Sequence, residues 1–173
     1  MKNFLLPFFL LPFAFIQAQT SAQDDLTSLR WKLRDALKMQ LPLTYQDMKD
    51  GQYFEKSYSF DVEATADGKE QWVIPEKLHE PETDKLVTAG KYLLDPVGID
   101  PASIQKLLSE DGSLIGIVIR AKQGVQFVYD PFGAKPDEKL NAIYLGWWDH
   151  VQDRTVDRVV TLIQQTLVKT LNP

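Results

Sequence analysis

The stretch Gln52–Ile74, QYFEKSYSFDVEATADGKEQWVI, carries the pattern from which the rest of the chain is read. From Gln52 to Ala64, Phe54, Tyr58, Phe60, Val62 and Ala64 alternate with Glu55, Ser57, Ser59, Asp61 and Glu63. Successive side chains of a strand point to opposite faces, so the alternation predicts an antiparallel strand with one apolar face and one wet face. Asp67-Gly68 then predicts a tight reversal, because glycine enters the positive-φ region such turns need without a steric penalty. Glu70–Ile74 returns as a second strand, which Pro75 is expected to end.

Further along, Leu114–Ile119 is almost continuously β-branched or aliphatic, as expected of a central strand covered on both faces. Lys122-Gln123-Gly124 predicts a turn, and Val125, Phe127 and Tyr129 form the inward row of a returning strand that stops at Pro131. Asn141–Trp148 gives one more strand. Between these runs the reading is weaker, and Leu86–Leu94 fits either a strand or a short helix, with Gly90 weakening both. Pro75, Pro81 and Pro96 break residues 75–99, and Glu80, Glu82 and Asp84 make part of that segment acidic. Long irregular segments in small domains are more often functional loops than filler, which makes this a candidate binding surface. Asp100-Pro101 is the start signal of a short helix running through Ser109 and closed by Gly112.

Amphipathic helices flank the strands. Leu26, Leu29, Leu33 and Leu37 repeat at steps of three and four within a helix expected over Ala22–Gln40. Trp31 lies off that stripe, where a large aromatic is either a second packing contact, the favoured reading, or an exposed binding residue. Val156, Val159, Val160, Ile163, Leu167 and Leu171 share one face of the last helix, which Asp153 or Thr155 can cap. The fold class is therefore α+β, a mostly antiparallel sheet of about five strands packed by N- and C-terminal amphipathic helices.

The extreme N-terminus reads differently. After Lys2, every residue from Phe4 to Ile16 is apolar or proline, and Gln17-Ala18-Gln19 follows. That run is shorter than the roughly 20 residues a membrane-spanning helix needs and matches a secretory signal. Residues 1–18 are expected to be a cleaved signal peptide, leaving residues 19–173 as a single soluble domain in the periplasm or outside the cell. Losing Lys2 moves the net charge from −5 to −6. An acidic chain is a poor match for nucleic acid or anionic lipid and favours basic partners. The chain has no cysteine, which removes thiol and iron–sulfur chemistry and, for an exported domain, leans towards a bacterial envelope.

Signatures of catalysis are sparse. His79-Glu80 starts like a zinc-protease helix, but Thr83 stands where the second histidine belongs and Pro81 interrupts the helix. Ser103-Ile104-Gln105-Lys106 fits a Ser-x-x-Lys pattern without its companion motifs, so it reads as a chance match with Ser103 in a capped turn. No phosphate-binding or nucleophile-elbow motif occurs, and neither cofactor nor metal is expected. The most suggestive feature is Tyr144, Trp147 and Trp148 beside Asp149 and His150. Tryptophan is common at binding hot spots, yet adjacent indoles also pack, one in the core and one over the sheet.

The candidate binding residues are therefore Trp147, Trp148, Asp149, His150, Glu80, Glu82, Asp84 and Trp31. The sequence leans away from an enzyme and towards an exported binding protein of the envelope, such as an inhibitor or immunity-type protein with a basic protein partner. An exported cell-wall hydrolase using carboxylates near Trp147, Trp148 and His150 is the first alternative. A structural or assembly accessory associating through a sheet edge or Trp31 is the second.

Overall fold

The computed structural model describes residues 25–40, 46–49, 52–80, 85–132 and 136–172. Residues 25–35 form helix α1, which continues as a π-helical turn over Ala36–Gln40. Leu26, Leu33 and Leu37 are buried, as their spacing predicts. Strand β1 (Gln46–Lys49) pairs with β2 (Gln52–Tyr58), and β2 and β3 (Asp61–Ala64) lie one after the other along the same side of β4 (Glu70–Glu80). The residues expected to form the signal peptide lie outside the described residues.

Pro75 does not end β4, contrary to the sequence expectation. Its carbonyl accepts the Ser59 N–H at 3.2 Å, but proline has no N–H to return to Ser59. The ladder therefore breaks only at Ser59-Phe60, and one register runs from Glu55↔His79 to Ala64↔Glu70 across the gap. On its other side Pro75 sits opposite Lys91 of β5 (Lys85–Leu94), and β4 continues past it. Residues 76–80 and 85–94 are thus two arms of a long antiparallel hairpin: of the two readings of Leu86–Leu94 the strand holds, and the irregular loop is corrected. Glu82 and Asp84 lie outside the described residues.

The short helix expected over 101–109 is also corrected. Asp100 does accept from Ala102 N–H at 3.1 Å, but only one 3-10 turn follows, Pro101–Ser103. Ser103 Oγ then donates to the Asp100 carbonyl at 2.6 Å and accepts the Arg120 N–H at 2.8 Å. This tie draws the chain alongside β7 (Leu114–Arg120), and Gln105–Leu108 becomes strand β6, paired with β7. Ser103 sits in a capped turn as expected, but no helix follows it, and its hydroxyl clamps two backbone segments, a role the sequence did not give it.

Two antiparallel sheets result. The larger has the order β1-β2-β4-β5-β8-β9, with β3 beside β4, where β8 is Phe127–Pro131 and β9 is Glu138–Leu140. The smaller has the order β10-β7-β6, with β10 spanning Ala142–Asp149. A 3-10 turn, His150–Gln152, leads into helix α2 (Asp153–Leu171). Asp149 caps that turn by accepting the Val151 N–H at 2.9 Å, and α2 itself has no side-chain cap, so neither Asp153 nor Thr155 plays that part.

The α+β class holds, with more strands than the sequence resolves. Trp72, Leu94 and Phe127 of the large sheet meet Ile115, Ile117, Ile119, Ile143 and Leu145 of the small one in a single core. Val156, Val159, Ile163 and Leu167 of α2 and Leu33 and Leu37 of α1 complete it. No helix among the described residues is long and apolar enough to cross a membrane.

Candidate functional site

Strand β10 begins in regular alternation, with Ile143 and Leu145 buried and Tyr144 50% exposed. The pairing then shifts. Leu145 lies opposite Ile117 and Trp148 opposite Ile115, so Gly146 and Trp147 together face one residue of β7. This is a β-bulge, and its first residue, Gly146, takes φ +83°, a conformation favouring glycine. A Cβ at Gly146 would lie 2.2 Å from the Trp148 ring, so glycine also makes room for the indole.

The extra residue decides which tryptophan points where. Strict alternation from Leu145 would turn Trp147 inward and Trp148 outward. With the bulge, Trp148 is 2% exposed and meets Tyr58 edge-to-face, ring centroids 6.2 Å apart. Trp147 stays half-buried on the outer face, on the same side as Tyr144. A Cβ at Gly116 would stand 3.4 Å from the Trp147 ring, so the indole lies across the bare backbone of the neighbouring strand. One indole of the pair fills the core and the other covers the sheet, as the adjacent pair implied.

Acidic groups gather at the end of this sheet. The His150 N–H donates to the Ser113 carbonyl at 3.0 Å, which brings the β6–β7 turn beside the end of β10. In that turn Asp111 accepts from the hydroxyls of Ser109 at 2.6 Å and Ser113 at 2.7 Å. These bonds, the Ser109 hydroxyl first, hold its carboxyl down at about 2, so it carries a charge at neutral pH. Glu110 is its sequence neighbour and is exposed, as are Asp149, which pairs with Leu114 at the end of β10, and His150. Asp153 and Asp157, on the first turns of α2, are bridged by Lys106 of β6, whose Nζ is 2.8 Å from Asp157. The Lys106 hydrogen bond lowers the Asp153 carboxyl below its ordinary value.

The other sequence candidates lie elsewhere. Trp31 is 57% exposed on α1, with Arg34 stacked 5.4 Å from its ring centroid, so it does not take the packing role favoured for a large aromatic. Glu80 is half-buried at the end of β4. The structure thus leaves Trp147, Asp149 and His150 at one end of the small sheet, separate from Trp31 and from Glu80, and corrects Trp148 from a binding residue to a core one.

A buried polar group escaped the sequence reading altogether. Glu76 is 5% exposed and accepts from the hydroxyls of Tyr92 at 3.2 Å and Tyr129 at 3.4 Å. Tyr58 also reaches it. Burial first, then the Glu76 charge, raises the hydroxyls of Tyr58 and Tyr92 and pushes Tyr129 up to about 12. Gly90 opens the space for the Tyr129 ring, which would lie 2.7 Å from a Cβ there. The cluster ties β2, β4, β5 and β8 together. No group of three His, Asp or Glu side chains among the described residues converges to hold a metal ion. No protein-family model, curated protein or solved structure matches the chain.

Proposed function

We propose that the chain is a non-enzymatic binding protein of the bacterial envelope, exported by residues 1–18, and that it takes a basic protein partner on the outer face of its small sheet. One observation carries the reading: the Gly146 bulge keeps Trp147 on the outer face beside Tyr144. Bulges re-aim side chains, and an aromatic pair next to a charged rim is the usual composition of a binding surface. Glu110, Asp111 and Asp149 supply that rim, and their sign complements a basic partner.

The test uses the exported protein as bait against envelope extract, beside Trp147→Ala and Tyr144→Ala variants. A basic protein should be retained by the wild type, lost by both variants, and associate more slowly as salt rises. Equal recovery by wild type and variants would overturn the assignment of this face. N-terminal analysis of the protein from its native cells checks export separately. A chain beginning at Gln19 in the envelope fraction agrees with the reading, and Met1 on a cytosolic chain ends it.

A further inference from the structure

Helix α1 and strand β3 enclose an open cleft of about 290 Å³, lined by Thr27, Arg30, Trp31, Arg34, Asp61 and Val62, with Phe60 beneath. Thr27, Trp31 and Arg34 recur at helical steps of four and three, so they form one stripe of α1. Two ion pairs fix that stripe. Arg30 is bonded to Glu70, whose other oxygen accepts the Trp72 indole N–H at 3.0 Å, and Arg34 lies 3.4 Å from Asp61. Trp31 therefore stands between two arginines, each anchored to the large sheet, with its indole largely in solvent.

The charges inside the cleft balance. Arg30 and Arg34 face Glu70 and Asp61, so neither a free anion nor a free cation gains net attraction. Donors and acceptors lie side by side: guanidinium N–H groups of Arg34, carboxylate oxygens of Asp61 and the hydroxyl of Thr27. A ligand that both donates and accepts at neighbouring atoms, and has an apolar face for an indole, matches this arrangement. Those are the properties of a sugar ring, with adjacent hydroxyls around its rim and C–H groups on its faces.

We infer that this cleft binds a neutral saccharide, one pyranose ring stacking on Trp31 while Arg34 and Asp61 bond its hydroxyls. The site is independent of the protein-binding face proposed above, and neither requires the other. Its place on a chain read as exported puts it where glycans of the cell wall are within reach.

The experiment titrates the ¹⁵N-labelled protein with chitin oligosaccharides, β-glucan oligosaccharides and maltodextrins, following the four tryptophan indole signals. The expected result is that at least one series shifts the Trp31 indole and leaves the Trp72 and Trp148 indoles in place. Trp31→Ala and Asp61→Asn should each weaken that binding by about tenfold or more without altering the amide spectrum elsewhere. A parallel arm uses vesicles with and without anionic lipid, because α1 also exposes Lys32 and Lys38. The inference is overturned if no saccharide moves the Trp31 signal, if Trp31→Ala binds as well as the wild type, or if only anionic vesicles perturb Trp31.

Discussion

Gly146 works at two levels at once. Its positive φ lets the strand accept an extra residue, and its missing side chain leaves room for the Trp148 ring. Gly146→Ala should therefore cost both backbone strain and overpacking, about 2–4 kcal/mol together. Urea unfolding followed by fluorescence measures this directly. A midpoint equal to the wild type would mean that the indole steps aside freely and that the bulge is not what seats it. A different residue-level device operates at Glu76, where a buried carboxylate is held by phenolic donors. The raised tyrosine hydroxyls stabilise the fold below the ordinary tyrosine value of 10.0, and that contribution is lost as pH climbs towards their folded values. Alkaline titration should show Tyr58 and Tyr92 ionising only as the protein unfolds. Glu76→Gln should bring their ionisation to lower pH. A single unresolved tyrosine transition near the ordinary value, with the fold intact, contradicts this account.

At the scale of elements, Lys106 joins the edge of the small sheet to the start of α2 through Asp153 and Asp157. The Asp153 carboxyl is lowered in the fold, so the tie contributes stability above the ordinary value of 3.8 and loses it as pH falls through the lower folded value. Lys106→Met should be less stable than the wild type at neutral pH, with the gap closing in acid. Denaturation midpoints taken on either side of 3.8 check the sign. Elements were legible in the sequence wherever the core is wholly apolar. The alternation of 52–64 and the leucine stripe of α1 each record which side faces inward, and the aliphatic run at 114–119 records a strand covered on both faces. Proline was misread at residue 75 because its effect depends on which neighbour its missing N–H would have met, and pairing decides that. The 76–94 hairpin was hidden for a related reason: Glu76 is polar at an inward position, and the register shift opposite Gly90 breaks the period-two pattern. The tryptophan pair showed that one ring would be buried. Which one followed only from the bulge, since counting two residues against one requires knowing the partner strand. The arginines around Trp31 gave no signal, because ordinary helix-surface charges look the same in one dimension.

Across the whole molecule, the chain passes back and forth between its two sheets. Strands β1 to β5 enter the large sheet, β6 and β7 the small one, β8 and β9 return to the large one, and β10 goes to the small one again. The small sheet thus lies wholly within residues 105–149, whereas the large one joins residues 46–94 to residues 127–140. The large sheet lacks β8 until residue 131 and β9 until residue 140 is present, and the small one lacks an outer strand until residue 149. Loop closure must precede these distant pairings, which makes such topologies slow to form. The growing polypeptide consequently cannot close either sheet before residue 140 has been made. A threading route that accepts only unfolded chains would meet both layers unfinished.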